Sequence, residues 1–65
     1  MPQHQFDELP PEPRRKEIFL ALVKTQDQRV GVARSRQLIA KRFGVSVDQI
    51  RLIEQEGLDQ EWPPL

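Results

Sequence analysis

Between Pro13 and about Thr25 the apolar side chains Ile18, Phe19, Leu22 and Val23 recur at spacings of one, three and four. Residues three and four apart share a helix face, so this spacing predicts an amphipathic helix with one buried stripe. The charged residues at 14–17 and Lys24 fall largely off that stripe. Pro13 suits the first helical position, where its missing N–H costs nothing. Glu12 and Lys16 form an i,i+4 pair in the favourable order. Asp27 to Gly31 break the period, with Gly31 supplying backbone freedom. A second helix is expected from Val32 or Ala33 to Phe43, with Ile39, Ala40 and Phe43 inward and Leu38 or Ser35 at the margin. Gly44-Val45-Ser46 interrupts it, and a third helix follows. Ser46 can accept from the N–H of residue 49 while Gln49 reaches back to the N–H of Ser46, the reciprocal arrangement of a capping box. Ile50 and Ile53 line its inner face, and Gly57 stands where a left-handed C-terminal cap is expected, with Leu58 as its apolar contact.

These elements, near residues 13–26, 32–43 and 46–57, make an all-α, three-helix bundle occupying residues 13–58. Residues 1–12 hold Pro2, Pro10 and Pro11 without helical period and read as a flexible arm. The tail, residues 59–65, carries Trp62, Pro63 and Pro64 and is expected to fold back on the bundle. Within the bundle, residues 36–55 fit the spacing of a helix-turn-helix. Two short helices crossing steeply need a small residue at the contact, and Ala40 occupies that place. The turn needs a residue tolerant of positive φ, which Gly44 supplies. Phe43, Val45, Ile50 and Ile53 are the apolar plugs before, inside and after the turn, and Ile39 completes the inner face.

The run from Lys41 to Leu58, above all Ile50-Arg51-Leu52-Ile53-Glu54 with Leu58 four residues on, resembles the promoter-reading region 4 of bacterial sigma factors over about residues 35–58. The resemblance implies that the third helix enters the major groove while the second helix and turn grip phosphates. It also implies an apolar surface for RNA polymerase or another transcription protein. By position, Arg51 matches a base-contacting arginine, Gln49 a contacting basic position and Ser46 a phosphate-contacting hydroxyl. Val47 and Leu52 depart from the pattern, which has an arginine and a polar reader there. Nothing in the chain resembles the promoter-melting or main polymerase-binding domains of those proteins.

Charge sharpens this picture. Ten basic and ten acidic residues cancel over the 65-residue chain, but they are striped. Residues 1–13 hold three acids and no bases, residues 14–42 nine bases against two acids, and residues 43–65 one base against five acids. Arg34, Arg36, Lys41 and Arg42 lie on the helix that would cross a DNA backbone, or else form a solvated polar face. On the third helix Arg51 could address guanine, Gln55 adenine and Val47 a thymine methyl. Asp48, Glu54 and Glu56 work against phosphate approach there. Arg14, Arg15 and Lys16 stand in a first helical turn, where the macrodipole disfavours cations. Either Glu8 and Glu12 offset that cost or an anionic partner does.

Trp62 either enlarges the core or serves as an exposed anchor for a partner. Leu52 and Leu20 point off the buried stripes and, with Trp62, offer a protein-interaction surface suited to a homodimer or to docking on a larger protein.

Catalysis is not expected, because no nucleophile–base pair, metal cluster or phosphate loop is present. With no cysteine and one histidine, His4, neither a disulfide nor a structural zinc site is expected, and no cofactor is implied. The absence of a long apolar run or signal-peptide pattern makes a cytoplasmic setting the default, with no membrane partner. The expected function is that of a small transcription-related protein binding double-stranded DNA. The alternative is an adaptor of the same fold that binds protein and not DNA.

Overall fold

The computed structural model describes residues 9–65 and consists of three helices: α1 (Glu12–Asp27), α2 (Val32–Phe43) and α3 (Val47–Gln60). No strand occurs among the described residues. Each helix packs against the other two, so the molecule is a three-helix bundle. Most of the expected arm, residues 1–8 with His4 and Glu8, lies outside the described residues; Leu9 to Pro11 lead into α1.

The core consists of Ile18, Phe19 and Leu22 from α1, Ile39 and Ala40 from α2, Ile50 and Ile53 from α3, and Trp62 from the tail. Val23, Phe43 and Val45 are half-buried against it. At the margin of α2, Ser35 is buried and Leu38 exposed. The serine is accommodated because its hydroxyl donates to the Val32 carbonyl at 2.8 Å, so burial leaves no donor unpaired.

Helix ends follow the local chemistry, with three departures from expectation. α1 starts at Glu12, one residue before Pro13; the first turn has no intrahelical use for N–H groups, so proline is tolerated there. Between α1 and α2 the left-handed residue is Arg29 (φ 67°), whereas Gly31 caps α2 with φ −57°. The largest departure is at Gly57. It does not end α3 but is buried inside it, where a Cβ would overlap the Cγ, Cδ1 and Cε1 atoms of Phe19. Glycine is there for close approach, not for a positive φ.

α3 therefore continues to Gln60, and Glu61 takes the left-handed position at φ 53°. Leu58, expected to be a cap contact, is half exposed instead. The Trp62 N–H then reaches back to the Gly57 carbonyl at 2.9 Å, the reverse hydrogen bond of a helix C-terminal motif. That bond aims the indole inward, where it meets Phe19 edge-on with ring centroids 6.0 Å apart. Trp62 is only 4% exposed, so it belongs to the core and not to an exposed partner-binding surface.

Replacing Gly57 by alanine tests this contact. Helix propensity alone would favour alanine by about 1 kcal/mol. Overpacking against Phe19 is expected to outweigh that with a net cost of about 1–3 kcal/mol. Thermal denaturation should show a lower midpoint for Gly57→Ala and partial recovery for Gly57→Ala with Phe19→Leu. An unchanged midpoint in the single variant would place the ring elsewhere.

Candidate nucleic-acid interface

α2 and α3 are joined by Gly44-Val45-Ser46. Gly44 adopts φ 70°, ψ 34° and donates to the Ala40 carbonyl, as does Val45 at 3.0 Å. The start of α3 is then fixed by a complete capping box. The Gln49 N–H donates to Ser46 Oγ at 3.0 Å, and the Ser46 N–H to Gln49 Oε1 at 3.4 Å. This geometry corrects one expectation. Gln49 is buried and engaged in the cap, so it is not a base-reading side chain. Ser46 remains exposed, and a hydroxyl that accepts from Gln49 still has its own hydrogen to donate.

With Ile50, Ile53 and Gly57 facing the core, the opposite side of α3 carries Asp48, Arg51, Leu52, Gln55 and Asp59, all exposed. Val47 stands at its edge, 38% exposed. Asp48, Arg51, Leu52, Gln55 and Leu58 line an open depression whose wall includes Arg36 and Glu54. Val47, Arg51 and Gln55, three of the four expected readers, thus lie together on solvent-facing α3. Gln55 also donates to Asp59 at 3.0 Å.

The cations of α2 divide. Arg36, expected to contact phosphate, is part-buried and donates through Nε to Glu54 Oε1 at 2.9 Å. It ties α2 to α3, a structural role the sequence reading did not foresee beside the expected phosphate contact. Arg34 and Lys41 are exposed and have no ion-pair partner among the described residues. Arg42 is exposed as well, but its guanidinium lies 5.5 Å from the Phe43 ring centroid, in a depression shared with Leu20 and Lys24 of α1. Leu20 is half-buried there, leaving Leu52 as the more exposed of the two leucines singled out from the sequence.

The basic turn at the start of α1 is balanced within the chain. Arg14 pairs with Glu17 at 3.1 Å and Lys16 with Glu12 at 3.2 Å. Arg15 spans the bundle: Nε donates to Glu56 Oε1 at 2.8 Å, Nη2 to Oε2 at 2.9 Å and Nη1 to the Pro10 carbonyl at 2.8 Å. The hydrogen bond to Glu56 holds the Arg15 guanidinium still more firmly in its charged form, against the opposing effect of burial. Of the two acids proposed to offset this turn, Glu12 does so for Lys16, while Glu8 lies outside the described residues.

Glu54 and Glu56 were absent from the functional residues read off the sequence except as unwanted charge. A positional signal was available: Glu54 follows Ile50 by four and Glu56 follows Ile53 by three, which sets each beside the buried stripe. Among the described residues no cluster of three or more His, Cys, Asp or Glu could hold a metal ion. No helix among them is long and apolar enough to cross a membrane. Comparison with protein-family models, curated proteins and solved structures finds no match to this chain.

If Arg36 is a tie between helices, its loss should appear first as stability. A double-mutant cycle of Arg36→Ala and Glu54→Ala, followed by urea denaturation, is expected to give a coupling of about 0.5–3 kcal/mol. Strictly additive single effects would show that the pair contributes nothing.

Proposed function

We propose that this chain is a DNA-binding module of the helix-turn-helix kind, not an enzyme, in which α2 and the turn hold phosphates and α3 reads base edges in the major groove. Arg34, Lys41, Arg42 and Ser46 are the phosphate contacts; Val47, Arg51 and Gln55 are the readers. The observation that supports this most is the pairing of Glu54 with Arg36 and of Glu56 with Arg15. The acidic third helix, the main obstacle to phosphate approach, is thereby locally neutralised. Asp48 and Asp59 remain on the outer face, set against Arg51 there and against Arg34, Lys41 and Arg42 on α2. The resemblance of residues 35–58 to sigma factor region 4 supports a role in transcription beside RNA polymerase.

A second reading, a protein-binding adaptor of the same fold, draws support from the exposure of Leu52 and Leu58, 58% and 50%. The two readings separate in a fluorescence-anisotropy titration with pooled short duplexes. Three cationic phosphate contacts should give a slope of log K against log salt of about −3. Lys41→Ala should weaken all duplexes alike and reduce that slope by about 1. Arg51→Ala should cost about 1–3 kcal/mol at one base pair and leave random duplexes little changed. Absence of association with any duplex at low salt would leave the adaptor reading.

A further inference from the structure

The outer face of α3 has a sequence that complements itself. Counting from Gln55, Arg51 lies four residues before and Asp59 four after, while Leu52 lies three before and Leu58 three after. All five are exposed. At 3.6 residues per turn they fall within an arc of about 120°. Arg51 has no acidic partner among the described residues, and Asp59 has no cationic one. Two opposite charges without ion-pair partners therefore stand at the ends of this five-residue patch, with a leucine on each side of the line between them; Asp48, one turn before Arg51, lies beyond the patch and makes no ion pair with it.

Arg51, Gln55 and Asp59 form a single ridge of residues four apart. Such ridges from two helices lie side by side when the axes cross near −50°, the commonest class of helix packing. In a parallel arrangement Arg51 would meet Arg51. In an antiparallel one, Arg51 of each copy stands beside Asp59 of the other, and the leucines flanking the ridge close over their own equivalents. We propose that two copies of this chain associate through an antiparallel α3–α3 contact with two-fold symmetry, centred on Gln55. A two-fold contact uses one self-complementary patch, which is what these five positions supply.

Five side chains per copy make a small patch, and contacts under roughly 1,200 Å² in total are typically weak, so the pairing is expected to be reversible. Its exposed ion pairs make it sensitive to salt. A consequence, resting on the DNA reading above, is that the paired form is closed to DNA, because Arg51 and Gln55 are covered. Self-association and duplex binding then compete for one face.

Sedimentation equilibrium of the full chain without DNA, from micromolar to millimolar concentration, reads the pairing directly. The weight-average mass should rise from the monomer's 7.6 kDa toward twice that value. Asp59→Arg should remain monomeric throughout. It puts a cation in the last turn of α3, where the helix dipole favours one, so folding is retained and can be checked by circular dichroism. Arg51→Asp should also remain monomeric, and the double exchange Arg51→Asp with Asp59→Arg should restore association. A wild type that stays monomeric at millimolar concentration, an Asp59→Arg variant that pairs like wild type, or a double exchange that fails to pair would each overturn the proposal. Duplex binding by Asp59→Arg is measured separately. Pairing by the wild type with no duplex binding by either protein sustains the α3 contact and removes the DNA reading.

Discussion

Phe19 lies against the backbone of Gly57, and the position of α3 follows from that contact. Without a side chain at residue 57, α3 approaches the ring closely enough for Ile50 and Ile53 to join the same core. The same glycine carbonyl accepts the reverse hydrogen bond from Trp62, so the indole closes over Phe19 from the tail side. One residue thus sets both the separation of α1 from α3 and the return of the C-terminal segment. With eight buried hydrophobic residues in the core of the described part, such a contact has few others to substitute for it.

The buried stripe of Ile50, Ile53 and Gly57 sets which side of α3 faces inward. Charge on both flanks reinforces that setting: Arg36 of α2 holds Glu54, and Arg15 of α1 holds Glu56. The second tie is the more specific, since a guanidinium fork on a carboxylate defines a plane as well as a distance. These arginines come from the basic middle block of the sequence, and their partners from its acidic end. The charge striping is therefore matched within the bundle only in part. Among the described residues Lys24, Arg29, Arg34, Lys41, Arg42 and Arg51, and Asp27, Asp48, Asp59 and Glu61, take no part in an ion pair.

The periodic elements were legible in the sequence because their causes are local. The helical stripes, the left-handed Gly44 and the Ser46–Gln49 capping box each depend on residues within four positions of one another. What was misread depends on distance in the chain. Gly57 has the local signature of a helix end, but Phe19, 38 residues earlier, requires it inside the helix. Arg36 looks like any exposed cation until Glu54 is placed beside it. Gln49 could be legible as a cap or as a reader; it cannot be both, since the geometry that satisfies the Ser46 N–H also buries the side chain. Of the outer face, Val47, Arg51 and Gln55 were identifiable from helical period alone, because facing away from Ile50 and Ile53 suffices to expose them.

The use of arginine for internal ties has a consequence for recognition. Had the acids of α3 been left unpaired, any surface presented by that helix would have repelled phosphate and carboxylate alike. Pairing Glu54 and Glu56 at the flanks leaves the Arg51–Gln55–Asp59 ridge with a cation at its start and an anion at its end, with Asp48 one turn before Arg51 on the same side. Under the DNA reading proposed above, a uniformly negative nucleic-acid backbone would favour the Arg51 end of this ridge. An antiparallel copy of the same ridge favours both ends at once. If both proposals hold, the two partners would compete for one face, and salt and concentration would set the balance. The flanking ties of Arg36 to Glu54 and Arg15 to Glu56 lie beside that ridge and not on it, so neither proposed contact would have to break them.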